Sequence, residues 1–391
     1  MPTDALLKPS RDIRLDLMRG IAVLLVIFSH LIIPDISPAG VSGHFIRFFW
    51  SVLKFIRTGG WIGVDLFFVL SGFLVSGLLF QEFKKTGEIN PYQFLIRRGF
   101  KIYPVFYTFL LLTFLIDFAI FKLKLPALYN YESIKQQVLL YTRDAFFLNN
   151  YWPGRWPHTW SLDVEELFYI LLVFYFLLLI KWKKLNYRNI LYAWAVLLLL
   201  GILFRTFACI NHPGFNFGAQ YAKSHFRLDA LLFGVLLSWL YHYSPERFLF
   251  FKRYNFFLIT LSIAWLLTNF LFARFDNSWI AIVSLGVNPV CFGVLLMGAL
   301  NSNAQFLRYK ILAYIGRVSY ATYLWHVFIN MCFIAWVPSI KDNTVIWALY
   351  AICYLLFSIL IGAIFTHLVE APLLNLRNRY FPSSTSPETN Q

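Results

Sequence analysis

A chain of 391 residues with a formal net charge of +15 suggests two or three soluble domains with an affinity for anions, yet 59% of it is hydrophobic, 20% is aromatic and only 14% is charged, with a mean hydropathy of +0.63. Ordinary soluble domains carry about a quarter charged residues, and no aqueous fold could hide this much apolar surface. The basic residues sit in short clusters between apolar stretches rather than on one face, which membrane topology explains and nucleic-acid binding does not.

In chain order, windows of about 20 apolar residues predict ten transmembrane helices. They lie near Leu15 to Ile33, Trp61 to Phe80, Ile102 to Phe121, Ser161 to Ile180, Ile190 to Cys209, Phe226 to Tyr243, Phe256 to Phe272, Trp279 to Leu300, Leu312 to Trp336 and Val345 to Val369. The fold class expected is therefore an all-α polytopic membrane protein. A single membrane domain covers residues 1–381, and residues 382–391 form a disordered tail. If both termini share one side, that side holds 21 of the 34 Lys and Arg, crowded at span ends as in Lys84, Lys85, Arg97, Arg98, Lys101 and in Lys181, Lys183, Lys184. The positive-inside rule then makes both termini cytoplasmic. The basic start and the run Ile21 to Ile33 imitate a signal peptide, but no small-residue cleavage site follows, and Arg14, Asp16 and Arg19 intrude; an uncleaved first span is expected. Cys209, Cys291, Cys332 and Cys353 have no paired spacing, so neither a metal nor a disulfide framework is expected. No repeat, glycine-rich phosphate loop or Walker-type motif occurs, which removes the commonest signatures of an ATP-driven transporter.

Ionisable residues within spans cost several kcal/mol unless paired or hydrated, so each is a functional candidate. Counting residues from the span ends puts His30, Asp65, Glu165 and Arg227 in one layer of the outer half of the membrane, with Asp229 beside Arg227. The bland reading of such a layer is a set of ion pairs between helices. Arg19 and His30, 11 residues apart, share a helix face about 16 Å from end to end, so one face links the inner half to the outer. A neutral imidazole can take a proton from a hydroxyl as it attacks an acyl carbonyl, and a neighbouring carboxylate can stabilise the imidazolium. His30 and Glu165 are accordingly the candidate catalytic pair, with His158 and His326 as alternative bases. Ser161, one turn before Glu165, either supports it or caps the helix, capping being the commoner role. No G-x-S-x-G elbow is present, which leaves direct transfer or an acyl-histidine.

These residues also fall in blocks that resemble a known family. RLDLMRGIAVLLVIFSH (Arg14 to His30), GVDLFFVLSGFL (Gly63 to Leu74), RRGFKIYP (Arg97 to Pro104), HTWSLDVEELFY (His158 to Tyr169), RLDALLFG (Arg227 to Gly234), SYATYLWH (Ser319 to His326) and VEAPL (Val369 to Leu373) resemble, in order, blocks of the membrane acyltransferase 3 family. The family's Arg-x10-His pattern falls on Arg19 and His30. The resemblance implies a ten-helix unit that takes acyl groups from acyl-CoA, acetyl-CoA above all, as co-substrate with no permanently bound cofactor. It further implies O-acylation of a carbohydrate such as lipopolysaccharide, capsule, peptidoglycan or a secreted glycan, at the outer face of a bacterial inner membrane. It carries Trp160 into the candidate site with His158 and Ser161. One departure is that Arg98 is followed by Lys101 where the family commonly has Arg-x-x-Arg; lysine keeps the charge and loses the bidentate fork. Some members add a C-terminal hydrolase-like domain, and the chain stops too soon after Val369 to hold one, so it is expected to act alone or with a separate partner.

Acyl-CoA is polyanionic, so its nucleotide should stay at the inner surface, near Arg19, Arg97, Arg98 and Lys101. The ordinary alternative for these residues is topological anchoring or, for Arg19, pairing with Asp16 or Glu370. In the loop Lys122 to Trp160, Asn149, Asn150, Tyr151, Trp152, Trp156 and His158 would suit a sugar, or equally an interfacial aromatic belt. The competing function is a transporter or flippase for a lipid-linked glycan, in which the polar layer is a substrate cavity.

Overall fold

The computed structural model describes residues 12–34, 44–124, 133–212, 217–247, 254–272, 278–302, 309–337, 340 and 343–382, and among these no strand occurs. The expected tail beyond residue 382 lies outside the described residues, as do parts of the loops. Helix α1 (Ile13–Ser29) starts where the Asp12 carboxylate accepts from the Arg14 backbone N–H at 2.9 Å. The amphipathic helix α2 (His44–Gly59) has no counterpart among the predicted spans. Its charged Arg47, Lys54 and Arg57 dilute the local hydropathy, so a window tuned to 20 apolar residues passes over it. A short 3-10 turn, Gly60–Ile62, joins it to α3 (Gly63–Thr86).

Helix α4 (Pro91–Leu123) is capped by Asn90, whose side chain accepts from Gln93 N at 3.0 Å. It begins well before the predicted Ile102, so Arg97, Arg98 and Lys101 stand on its opening turns rather than in a loop. The amphipathic α5 (Ile134–Ala145) sits within the long connection to α6 (Trp160–Lys181), which is followed by α7 (Tyr187–Asn211), the one-turn α8 (Phe217–Gln220) and α9 (Leu228–Tyr243). Helices α10 (Asn255–Phe272) and α11 (Ser278–Asn301) match their predicted spans closely.

The predicted ninth span is not one helix. It is α12 (Lys310–Arg317) and α13 (Ser319–Trp336), which meet at 77°. The reason lies at Gly316: a Cβ there would stand 1.8 Å from Asp16 O, and one at Gly20 would stand 2.3 Å from Leu312 O. Helix α12 therefore lies backbone against backbone on α1, a contact only glycine permits, and a straight continuation would leave that contact. The last span, α14 (Thr344–Phe365), ends in a π turn, Thr366–Glu370, before α15 (Ala371–Tyr380). Pro372 has no N–H to give and its ring crowds the preceding turn, so the ladder widens there.

A second close crossing joins α3 and α9. A Cβ at Gly72 would fall 1.9 Å from Leu231 O, and one at Gly234 would fall 2.3 Å from Val69 O. Five helical stretches among the described residues are long and apolar enough to cross a membrane alone, or six with the bent α12 and α13 pair taken as one. Helices α1 and α9 are too short to satisfy that test, and α6 fails it because Asp163, Glu165 and Glu166 crowd its first two turns. Of those three acidic residues, Glu165 lines the candidate site.

Candidate active site

The expected convergence of His30, Asp65, Glu165 and Arg227 resolves into three separate groups. Asp65 and Arg227 do meet, as a fully buried ion pair between α3 and the start of α9. The second Asp65 oxygen accepts from Asn288 Nδ2 at 3.1 Å, and Asp229 pairs with Arg205 of α7 at 3.1 Å. The Arg227 guanidinium also lies over the rings of Tyr221, Phe68 and Trp160 at 4.7, 5.3 and 5.7 Å. Trp160 is buried in that stack. Asp65, Arg227, Asp229 and Trp160 thus tie α3, α6, α7, α9 and α11 together, and the ion-pair reading describes their contacts.

His30 forms the second group. At the C-terminal end of α1, its ring packs edge-on against His326 of α13 with centroids 4.9 Å apart, and His326 packs against His158 at 5.2 Å. His326 Nδ1 lies 2.5 Å from Tyr323 O, which can only accept, so Nδ1 carries the proton and Nε2 of the neutral ring is an acceptor. His30 Nδ1 faces that Nε2 at 3.4 Å and Val26 O at 3.0 Å, two acceptors, so it is protonated as well. The lone pair of His30 consequently resides on Nε2. Tyr350 and Asn330 hold the backbone around it: Asn330 Nδ2 donates to His30 O at 2.7 Å, and Tyr350 Oη donates to Asn330 at 2.7 Å. His30 is exposed, whereas His158 and His326 are buried. Burial also pushes the His158 pKa down to about 3, which keeps that ring neutral. Of the three rings, His30 alone can reach a bulky acceptor.

Glu165 belongs to the third group. Its carboxylate accepts from Tyr169 Oη at 2.5 Å, and Tyr169 Oη lies 2.7 Å from Ser71 Oγ. The carboxylate beside His30 that sequence reasoning expected is replaced by His326. Glu165 instead lines a cavity of about 110 Å³ with Arg19, Ser71, Arg98, Lys101, Ser161, Tyr169 and Tyr323. Ser161 does not cap α6; its hydroxyl bonds Tyr323 Oη at 2.7 Å, and Tyr323 Oη donates to His158 O at 2.6 Å. The Tyr323 ring borders this cavity and also contacts His326 and His158, with centroids 5.5 and 5.7 Å apart. Tyr323 is therefore the partition between the Glu165 group and the histidines. Sequence reasoning missed it, as it did Tyr169 and Ser71; all three lie inside the blocks quoted above, but as tyrosines and serines in apolar helices they carry no signal of their own.

A second cavity, of about 330 Å³, adjoins the first. The two share Arg19, Leu74, Arg98 and Lys101, and the second adds Glu82, Gln93, Arg97 and Arg377. The Arg98 guanidinium lies over the Tyr169 ring at 5.5 Å. Lys101 is paired with Glu370, which the π turn turns inward, and Arg19 lies 3.9 Å from Asp16. The aromatic and amide loop expected to suit a sugar is mostly internal scaffolding. Asn149 donates to Trp156 O at 2.6 Å, Asn150 donates to Ser224 Oγ at 2.6 Å, and both lie buried with Trp156 and His158. Only Tyr151 and Trp152 of that cluster are exposed.

Residues 12–367 match the model of an acyltransferase domain. A peptidoglycan O-acetyltransferase OatA from Listeria monocytogenes is 25% identical over 326 residues, covering 80% of this chain and 48% of the relative. An O-acetyltransferase OatA from Staphylococcus aureus is 29% identical over 298 residues, covering 71% and 48%. The chain thus spans about half the length of the curated relatives it matches, and no solved structure matches it. With its all-helical build and its polar residues held between long apolar helices, the chain is a polytopic integral membrane protein that belongs to the acyltransferase domain family.

Proposed function

We propose that the chain is a membrane O-acetyltransferase that takes an acetyl group from acetyl-CoA at the cytoplasmic face and delivers it to a glycan hydroxyl at the opposite face. The observation that carries this reading is that two cavities share their cations. Arg19, Arg98 and Lys101 line both a basic cavity and a polar slot, and the slot is bordered by Tyr323, whose ring contacts the histidine cluster. A polyanionic nucleotide would rest among the cations while its pantetheine arm extends along the slot. The relatives named for O-acetylation, one of them for peptidoglycan, support both the acetyl group and a carbohydrate acceptor.

In this mechanism His30 Nε2 takes the proton of the glycan hydroxyl as that oxygen attacks the thioester carbonyl. The tetrahedral intermediate collapses to the ester by breaking the carbon–sulfur bond, and the leaving thiolate recovers the proton from His30. Neutral His326, accepting from His30 Nδ1, fixes the ring so that the base atom points outward. Glu165, held by Tyr169 and facing the Arg98 charge, acts on the donor side of Tyr323, where it orders the slot around the pantetheine arm.

The test is transfer across a membrane. Purified protein in liposomes, given labelled acetyl-CoA on the side of Lys84 and Arg97 and a glycan acceptor on the side of His30, should label the glycan, and the His30→Ala variant should not. Unlabelled glycan together with acceptor transport would refute the reading in favour of a flippase.

A further inference from the structure

Arg98 and Lys101 stand one turn apart on α4, but the structure treats them differently. Lys101 is engaged by Glu370, a residue only 3% exposed. Arg98 lies over Tyr169 and Phe94, and Glu165 and Glu166 act on its charge without a salt bridge to it among the described residues. A further guanidinium, that of Arg377 on α15, lines the same basic cavity. It is half-buried, its bonds go to the neighbouring Asn378 Oδ1 at 2.8 and 3.2 Å, and it too has no salt bridge to a carboxylate among the described residues. Its helix is fastened to α4: Arg97 donates to Phe381 O, Gln93 Nε2 donates to Pro382 O at 2.6 Å, and Phe100 packs on Phe381 with centroids 5.8 Å apart. Arg97, Arg98 and Arg377 are close enough to act on one another as like charges, with Glu370 acting on Arg377 in the opposite sense, and among the described residues Glu82 is the one carboxylate lining this cavity. Holding three guanidinium groups together in a partly buried space is unfavourable until a polyanion enters.

We propose that Arg377 is a phosphate ligand of the donor nucleotide and that, with Arg98, it supplies the second fork that the sequence lacks at Lys101. The proposal rests on the acyl-CoA reading above. Two planar guanidinium groups from two helices can each take two oxygens of one phosphate group or of neighbouring ones, which an ammonium committed to Glu370 cannot do. Exchanging the Asn378 bond for phosphate is a local move, since both residues lie on one turn at the surface.

The experiment compares acetyl-CoA with S-acetyl-pantetheine, the same thioester without nucleotide or phosphates, using the wild-type chain, Arg377→Gln, Arg377→Lys and Arg98→Gln in liposomes. Loss of one charge-assisted contact should raise the acetyl-CoA KM of Arg377→Gln about tenfold, while kcat and the glycan KM stay within about twofold. The preference for acetyl-CoA over acetyl-pantetheine, as a ratio of kcat/KM, should fall about tenfold, and Arg377→Lys should recover part of it. Equal losses with both donors would make Arg377 a structural residue and overturn the proposal. A raised KM in Arg98→Gln with none in Arg377→Gln would overturn it while leaving the donor reading intact. A wild-type chain with no acetyl-CoA dependence would overturn both.

Discussion

Removing His326 tests which residue orients the base. In His326→Ala the Nε2 atom 3.4 Å from His30 Nδ1 disappears, along with the ring that packs edge-on against it at 4.9 Å. A net hydrogen bond between neutral groups contributes about 0.5 to 1.5 kcal/mol, so transfer should slow about 2-fold to 12-fold, and a bond this long belongs at the lower end. His30→Ala should slow it by about 100-fold to 10,000-fold, the usual cost of a lost general base. The informative measurement is the double variant. If His326 acts only through His30, the pair His30→Ala with His326→Ala should transfer label no more slowly than His30→Ala alone. Glu165→Gln, whose carboxylate belongs to the Tyr169 group, should keep its full effect in the His30→Ala background. Initial rates of glycan labelling in liposomes, normalised to folded protein, give all the terms. Loss of the Glu165→Gln effect with persistence of the His326→Ala effect would refute the structural assignment and restore Glu165 as the partner of His30.

The close helix crossings make a stability prediction. Gly72→Ala puts a methyl 1.9 Å from Leu231 O and should lower the Tm in detergent through a cost of about 1 to 3 kcal/mol or more. Gly286→Ala, where the nearest neighbour is Leu198 Cδ1 at 3.5 Å, should leave the Tm nearly unchanged, and equal effects at both sites would refute the packing argument. Asp65→Asn strands the Arg227 charge in a buried site and should destabilise by about 3 to 5 kcal/mol; the further change Arg227→Gln should recover part of that, and no recovery would deny the pairing. In a chain freed of native thiols, a cysteine at exposed Tyr151 should react with an impermeant reagent from outside the cell, and one at exposed Lys184 should not. The reverse result would invert the proposed orientation.

Hydropathy alone placed most of the long helices, because a lipid-facing helix must be apolar along its length and satisfies its backbone hydrogen bonds within itself. It missed α2 and α5, which are amphipathic, and it fused α12 with α13, since a 77° bend leaves no trace in a window average. Depth arithmetic worked for Asp65 and Arg227, which meet, and only partly for His30 and Glu165. Counting residues from a helix end fixes height along the bilayer normal, but not rotation about the helix axis or the identity of the neighbouring helix.

The sequence by itself determined the membrane class, the family and the set of polar residues held in apolar helices, because a buried charge is too costly to occur there without a role. Only the tertiary structure decided who partners whom: His326 with His30, Tyr169 with Glu165, Glu370 with Lys101, and Arg377 with the basic cavity. Those choices depend on helix rotation and on glycine contacts between segments as distant as Gly20 and Leu312, and nothing local to either segment encodes the other.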